Sequence, residues 1–119
     1  PAPVPSAVSQ QGALVAGYPR RLVPVVKGSV VRSSSVSPSK GRLQVALDAE
    51  VRADPDDVLR FYAVRLARLG FVSSQAPAVG GSVAASYKRG RDSVVVTVLT
   101  TGGPTRDYTA FATLVTKKS

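Results

Sequence analysis

The sequence predicts a two-layer α+β domain, in which one helix packs on one face of an antiparallel sheet of four to five strands. Three observations predict this fold: a segment of alternating apolar residues, a segment of helical periodicity directly after it, and three strand-like segments toward the C-terminus. The predicted order of elements is β-β-α-β-β-β. Because residues 1–17 are uncharged and rich in Pro, Ala and Val, we expect a flexible linker there and a single domain at residues 18–119.

The central part of the prediction is a strand followed by a capped helix. Residues 43–51 carry an apolar side chain at every second position, which is typical of a strand with one buried face. Asp54 and Pro55 then favour a helix start, since Asp is a preferred N-cap whose carboxylate accepts a backbone hydrogen bond and Pro suits the first helical position. We expect residues 58–69 to be helical and Gly70 to end the helix in the left-handed conformation.

The predicted helix is amphipathic, and its apolar face must lie on the sheet because a lone helix of about a dozen residues is marginal in water. Tyr62 falls on this face, whereas Arg60 and Arg68 point away from it. Arg65 falls inside the apolar sector. Either its stem crosses the sheet edge and its guanidinium reaches water, or it is a buried cation in a pocket beside Tyr62; the first is favoured because Arg is rarely buried unpaired.

The remaining strands are predicted from shorter patterns. A first strand is expected within residues 25–36, in a hairpin with the strand at residues 43–51, although its alternation breaks at Val30 and Val31. The proline-containing segment 18–24 is expected to run along an edge of the domain. The later strands are expected at residues 82–88, 93–100 and 107–116. The second of these is almost continuously apolar, which indicates a central strand covered on both faces.

Phe111 and Val115 make the last predicted strand apolar on both sides, because they alternate with Tyr108 and Leu114. Either the N-terminal segment or a partner covers the face that bears Phe111 and Val115. This face is therefore a possible protein interface.

The composition limits the function. The 16 basic and 7 acidic residues give a formal charge of +9, which predicts attraction to nucleic acid, phospholipid or cell-wall polymer. The chain contains neither His nor Cys, so the usual general base, a thiol nucleophile and the commonest metal ligands are absent. We therefore expect no catalytic site, no metal site and no cofactor.

The strongest candidate binding residues are Lys88, Arg89 and Arg91, which share one predicted hairpin tip. Exposed cations on a turn can bind phosphates, although charged tips also occur for solubility alone. Arg60 and Arg68 add positive charge on the exposed side of the helix. A second basic cluster, in residues 20–27, is suited to anionic headgroups.

Several segments carry a resemblance to known proteins. They are Val58-Leu59-Arg60-Phe61-Tyr62 through Leu66 to Leu69-Gly70-Phe71, the segment 86–94, and Leu22-Val23-Pro24 upstream. This pattern resembles small secreted or lipid-anchored envelope proteins of high-GC Gram-positive bacteria, a group without an assigned activity. The resemblance implies an extracytoplasmic location and transfers no functional residue. No apolar run approaches the length of a transmembrane helix, and we expect any signal peptide or membrane anchor to precede Pro1.

These observations favour a non-enzymatic, envelope-exposed binding or scaffolding domain with a basic surface. Its expected partner is an anionic surface, either lipid headgroups or cell-wall polymer, or an envelope protein. Two alternatives stay open. One is a nucleic-acid-binding module, which is less favoured because few aromatic residues are left to stack on bases. The other is a small-ligand-binding or enzymatic domain with a pocket between helix and sheet around Tyr62 and Arg65.

Overall fold

The computed structural model describes residues 8–12, 14–15, 18–76, 80–100 and 103–115, and predictions for the other residues lie outside this range. Within it, one helix and seven strands form a single domain-sized unit with one antiparallel sheet. The elements are β1 (Val8–Gln11), β2 (Val30–Ser39), β3 (Arg42–Val51), α1 (Pro55–Ala67), β4 (Val72–Gln75), β5 (Ser82–Arg89), β6 (Asp92–Leu99) and β7 (Arg106–Val115). The spatial order of the strands is β1-β2-β3-β7-β6-β5-β4.

The predicted α+β class, with one helix on an antiparallel sheet, is confirmed, but the predicted number of four to five strands is wrong. The two additional strands, β1 and β4, are four residues long and lie at the two edges of the sheet. Neither has an alternating apolar pattern, and each pairs with one neighbour only. β1 belongs to the segment 1–17 that was expected to be a flexible linker, and Val15 in the same segment is buried in the core.

The start of α1 was predicted correctly at Pro55, but the capping role of the Asp54 side chain was not. Asp54 is extended, and its side chain makes no capping hydrogen bond. Its carbonyl oxygen instead accepts the backbone N–H groups of Asp57 at 3.0 Å and Val58 at 3.2 Å. The carboxylate of Asp54 is exposed, so it can form hydrogen bonds with solvent in place of the backbone amides of the helix.

The predicted left-handed termination at Gly70 is confirmed, although α1 itself ends at Ala67 and not at residue 69. Gly70 has a φ of 93°, a conformation that glycine adopts without the steric cost of a Cβ atom. The N–H of Gly70 donates to the carbonyl of Ala67, and the N–H of Phe71 donates to that of Leu66, both at 3.0 Å, which is the Schellman pattern. Phe71 is buried, so this turn also fixes the chain direction into β4.

The hairpin of β2 and β3 is confirmed, and the break in its alternation is a β-bulge. Val31 pairs with Ala49 and Ser33 with Asp48, which leaves Arg32 as the extra residue. At the other end of the hairpin, Lys40 and Gly41 form the connecting turn, with φ angles of 44° and 79°. Two successive positive φ angles are those of a type I′ turn, which matches the twist of the paired strands.

The core lies between one face of the sheet and a layer made of α1 and two parts of the N-terminal segment, residues 14–15 and 18–29. Residues 18–24 were expected along an edge, but they lie over this face, where Val23 is fully buried. Three tyrosines join the parts of this core, one within the layer that covers the sheet and two between that layer and the sheet. The hydroxyl of Tyr62 donates to the carbonyl of Pro24, and the hydroxyl of Tyr108 accepts the N–H of Val26 at 3.1 Å. On the far side of α1, the hydroxyl of Tyr87 donates to the carbonyl of Leu59 at 2.9 Å.

No described residue covers the opposite face of the sheet. In β6, Val94, Val96 and Val98 are buried under the helix, whereas Val95 and Leu99 lie on this open face. The prediction that this strand is covered on both faces is therefore wrong. A run of β-branched residues is compatible with a half-exposed strand as well, because Val and Thr suit the pleated backbone on either face.

Candidate functional site

The topology brings cationic side chains from four parts of the sequence to one end of the molecule. The turns after β2 and β5, the last residues of β7 and the C-terminal end of α1 all lie at this end, as the pairing of Arg42 with Val115 and of Lys88 with Val72 requires. The segment 18–22 packs beside them against Leu69 and Arg89. We call the following residues the basic end: Arg20, Arg21, Lys40, Arg42, Arg68, Lys88, Arg89 and Arg91.

The carboxylates are concentrated in the opposite half of the molecule. Of the 7 acidic residues, these six lie there: Asp48, Glu50, Asp54, Asp56, Asp57 and Asp107. Two of them are already paired, because the guanidinium of Arg32 contacts Glu50 at 2.5 Å and Asp107 at 2.9 Å. The hydrogen bond to Glu50 raises the pKa of Arg32 above its usual value. The basic end therefore carries most of the net positive charge of the chain.

Asp92 is the acidic residue at the basic end, and both of its carboxylate oxygens have partners. One accepts the guanidinium of Arg89 at 2.9 Å, and the other accepts the backbone N–H of Val115 at 2.8 Å. It therefore joins the turn after β5 to the end of β7. The other exposed cations of the basic end have no carboxylate partner among the described residues.

Arg89 differs from its neighbours because it is held in place. Its guanidinium donates to the carbonyl of Leu69 at 2.9 Å, pairs with Asp92, and lies over the ring of Phe71 at 4.7 Å. It thereby neutralises the negative C-terminal end of α1 and joins the helix to the sheet. Arg89, proposed from the sequence as a binding residue, also has a structural role.

Replacing Arg89 by Ala is expected to lower the free energy of unfolding by about 1–2 kcal/mol, because the side chain makes two hydrogen bonds and a ring contact from a half-exposed position. Arg91 is the matched control. It is exposed, and its replacement by Ala is expected to change stability by less than about 0.5 kcal/mol. Urea denaturation of both variants measures the difference, and equal losses would contradict the structural role of Arg89.

A depression lies beside Arg89, between the helix end and the N-terminal segment. Its volume is about 540 Å³, and we call it the arginine pocket. Its lining residues are Tyr18, Pro19, Arg20, Arg21, Leu22, Leu69 and Arg89. The turn that carries Arg20 and Arg21 is closed by backbone hydrogen bonds from Leu22 and Val23 to the carbonyl of Pro19, at 3.1 Å and 2.9 Å.

The structure brings together some of the predicted binding residues and separates others. Lys88, Arg89, Arg91 and Arg68 all lie at the basic end. Arg60 lies about two helical turns from Arg68. Together with Asp56 it lines a separate depression of about 570 Å³ between α1 and the strands β4 and β5.

The proposed pocket residues Tyr62 and Arg65 have different surroundings. Tyr62 is fully buried under the helix, whereas Arg65 is exposed and lies over the ring of Phe61 at 4.8 Å. The stem of Arg65 thus follows the helix surface, and its guanidinium is not a buried cation.

The proposed interface residues Phe111 and Val115 lie on the open face, with exposed fractions of 48% and 42%. Phe111 is opposite Val95 on one side and Ala46 on the other, near the middle of the sheet. A depression of about 360 Å³ adjoins it, lined by residues of β2, β3 and β7. The N-terminal segment was one of the two expected covers, but its described residues 14–15 and 18–29 lie on the other face.

Lys40 and Arg42 were not predicted as binding residues. They flank Gly41 and belong to no longer run of cations, and only the register of the strands places them near the turn after β5. The sequence contains a basic cluster at residues 20–27, but the fold separates its members. Arg20 and Arg21 lie at the basic end, whereas Lys27 follows Val26, whose N–H binds Tyr108.

Further features of the described residues bear on function. No three His, Cys, Asp or Glu side chains in this part of the chain are grouped so that they could hold a metal ion. Its single helix is too short and too polar to cross a membrane. No family model matches the sequence, and no curated protein and no solved structure match it.

Proposed function

We propose that this protein is a non-enzymatic binding domain that attaches to an anionic surface of the cell envelope through its basic end. The observation that carries the proposal is the separation of charge. Six carboxylates lie in one half of the molecule, and the cations of the basic end share Asp92 as their one acidic neighbour. The envelope location is supported by the sequence resemblance, and the absence of His and Cys from the chain supports a binding role over a catalytic one.

The shape of the molecule suits such a contact. Most cations of the basic end come from turns and strand ends at the same end of the sheet. Several of them can therefore approach a flat surface together. A Lys or Arg near an anionic membrane contributes about 1 kcal/mol each, and the contribution falls off within a Debye length. Four or five cations acting together are therefore sufficient for micromolar attachment, on the order of 5 kcal/mol above a weak background.

The proposal is tested by binding to vesicles of phosphatidylglycerol and phosphatidylcholine in equal parts, with poly(glycerol phosphate) and duplex DNA in parallel, across a salt series. The informative variant is Lys88→Glu with Arg91→Glu, since neither side chain has a partner among the described residues. Removing two cations from the contact is expected to weaken vesicle or wall-polymer binding by about 30-fold or more.

The matched control is Lys27→Glu with Arg52→Glu, which changes the net charge equally outside the basic end. This variant is expected to lose less than about 3-fold, because screening confines the effect of a charge to its neighbourhood. Equal losses in both variants would show that net charge alone attracts the surface. A preference for DNA at physiological salt would favour the nucleic-acid alternative instead.

A further inference from the structure

The arginine pocket combines charge with an apolar wall. Arg20 and Arg21 lie on its rim and are exposed, and they have no hydrogen-bond or ion-pair partner among the described residues. Pro19, Leu22 and Leu69 supply apolar surface beside them. A pocket of this kind suits a ligand with an anionic head and a short apolar neighbour rather than a bare ion.

The pocket is held in shape before any ligand arrives. Tyr18 and Val23 are buried on the two sides of the turn that carries the two arginines, and Pro19 accepts the hydrogen bonds that close it. On the opposite wall, Arg89 is fixed by Leu69, Asp92 and Phe71. Because the turn and the side chain of Arg89 are already ordered, less conformational entropy is lost when a ligand binds.

Arg89 keeps binding capacity in this fixed position. A guanidinium has five N–H donors, and the structure uses one toward Leu69 and one toward Asp92. The remaining donors, with those of Arg20 and Arg21, fit the several oxygens of a phosphate group, for which the planar fork of Arg is well suited. The volume of about 540 Å³ accommodates a phosphorylated headgroup and its first carbon atoms, and it is too small for a complete two-chain lipid.

We propose that the arginine pocket binds the phosphate group of a glycerophosphate headgroup, with the adjoining carbon chain on Pro19, Leu22 and Leu69. This inference rests on the proposed function, since it names the individual site at which the basic end would hold its anionic surface. The same chemistry occurs in an anionic phospholipid, in a glycerol phosphate polymer and in free glycerol phosphate. The remaining cations of the basic end would then act by general attraction.

The experiment uses the full chain and water-soluble dihexanoyl-phosphatidylglycerol as the probe, followed by amide NMR spectra. Saturable changes in amide chemical shift are expected at Tyr18, at residues 20–22, at Leu69 and at Arg89. The variant Arg20→Gln with Arg21→Gln is expected to weaken this binding by at least about 10-fold, as is typical when charge-assisted hydrogen bonds are lost. The control Lys27→Gln with Arg52→Gln removes equal charge from exposed positions outside the basic end and is expected to change the affinity by less than about 2-fold.

A comparison of the lipid with glycerol 3-phosphate shows which part of the ligand is recognised. If glycerol 3-phosphate binds as tightly as the lipid, the phosphate group alone is recognised; tighter binding of the lipid assigns a role to the apolar wall. Either result supports the site. Shifts spread evenly over the basic end, or equal losses in both variants, would overturn it.

Failure of this inference is distinguishable from failure of the proposed function. If Arg20→Gln with Arg21→Gln leaves vesicle binding unchanged but Lys88→Glu with Arg91→Glu weakens it, the pocket is excluded as a specific site. The attachment through the basic end then stands. If neither variant affects vesicle binding, both proposals are wrong.

Discussion

Replacing Tyr62 by Phe is expected to lower the free energy of unfolding by about 1–3 kcal/mol, although only one oxygen atom is removed. The hydroxyl of Tyr62 donates to the carbonyl of Pro24, and both residues are buried. Without the hydroxyl, that carbonyl keeps its desolvation cost and has lost its partner. The contact also joins α1 to the N-terminal segment, so hydrogen exchange should become faster around Val26 and Ser29 as well.

Tyr18 is the matched control for this prediction. It is also a buried tyrosine in the same layer, but its hydroxyl has no hydrogen-bond partner among the described residues. Replacing Tyr18 by Phe removes a buried hydroxyl that makes no hydrogen bond to the described residues. The free energy of unfolding should therefore be unchanged or slightly higher. Urea denaturation midpoints of the two variants make the comparison, and a larger loss for Tyr18 than for Tyr62 would contradict it.

Alkaline pH is expected to unfold the protein cooperatively, beginning above pH 10. Burial raises the pKa of Tyr18 and of Tyr62 far above the ordinary tyrosine value of 10, and it raises the pKa of Tyr87 to about 12. The phenol is neutral when protonated, and the apolar core disfavours the phenolate. Above pH 10 the unfolded chain loses these protons while the native state retains them, so the equilibrium shifts toward the unfolded chain.

The stabilising effect of these tyrosines is therefore complete below pH 10 and declines as the pH rises through about 12 for Tyr87, and still higher for the other two. The chain contains 4 Tyr and no Trp, so the phenolate absorbance can be followed without interference from tryptophan. The phenolate absorbance of Tyr18, Tyr62 and Tyr87 should rise together with the loss of circular dichroism. Gradual ionisation near pH 10 with an intact spectrum would contradict their burial.

The sequence predicted best those elements whose signals are local. The alternation in residues 43–51, the helix start at Pro55 and the termination at Gly70 each depend on neighbouring residues, and β3 and α1 occur where they were expected. The two short edge strands were missed because four residues without alternation carry no detectable period. The prediction of a side-chain cap at Asp54 was wrong, because the helix can begin at Pro55 without a hydrogen bond to the Asp54 carboxylate.

The candidate site depends on contacts that are distant in sequence. Lys88 and Arg91 were identified from one turn, but the association of that turn with Lys40, Arg42 and the segment 18–22 requires the strand order. The anchoring of Arg89 likewise depends on a carbonyl at the end of the helix, 20 residues away. A local pattern contains no information about such a partner.

The sequence by itself determined the α+β class, the helix with its termini and the excess of positive charge. Periodicity and capping depend only on neighbouring residues, and the net charge depends only on composition. Only the tertiary structure decided which face of the sheet is covered, where the cations and carboxylates separate, and that Arg20, Arg21 and Arg89 share a pocket. These features depend on strand register and on the path of residues 18–29 across the sheet, which are set by packing between distant segments.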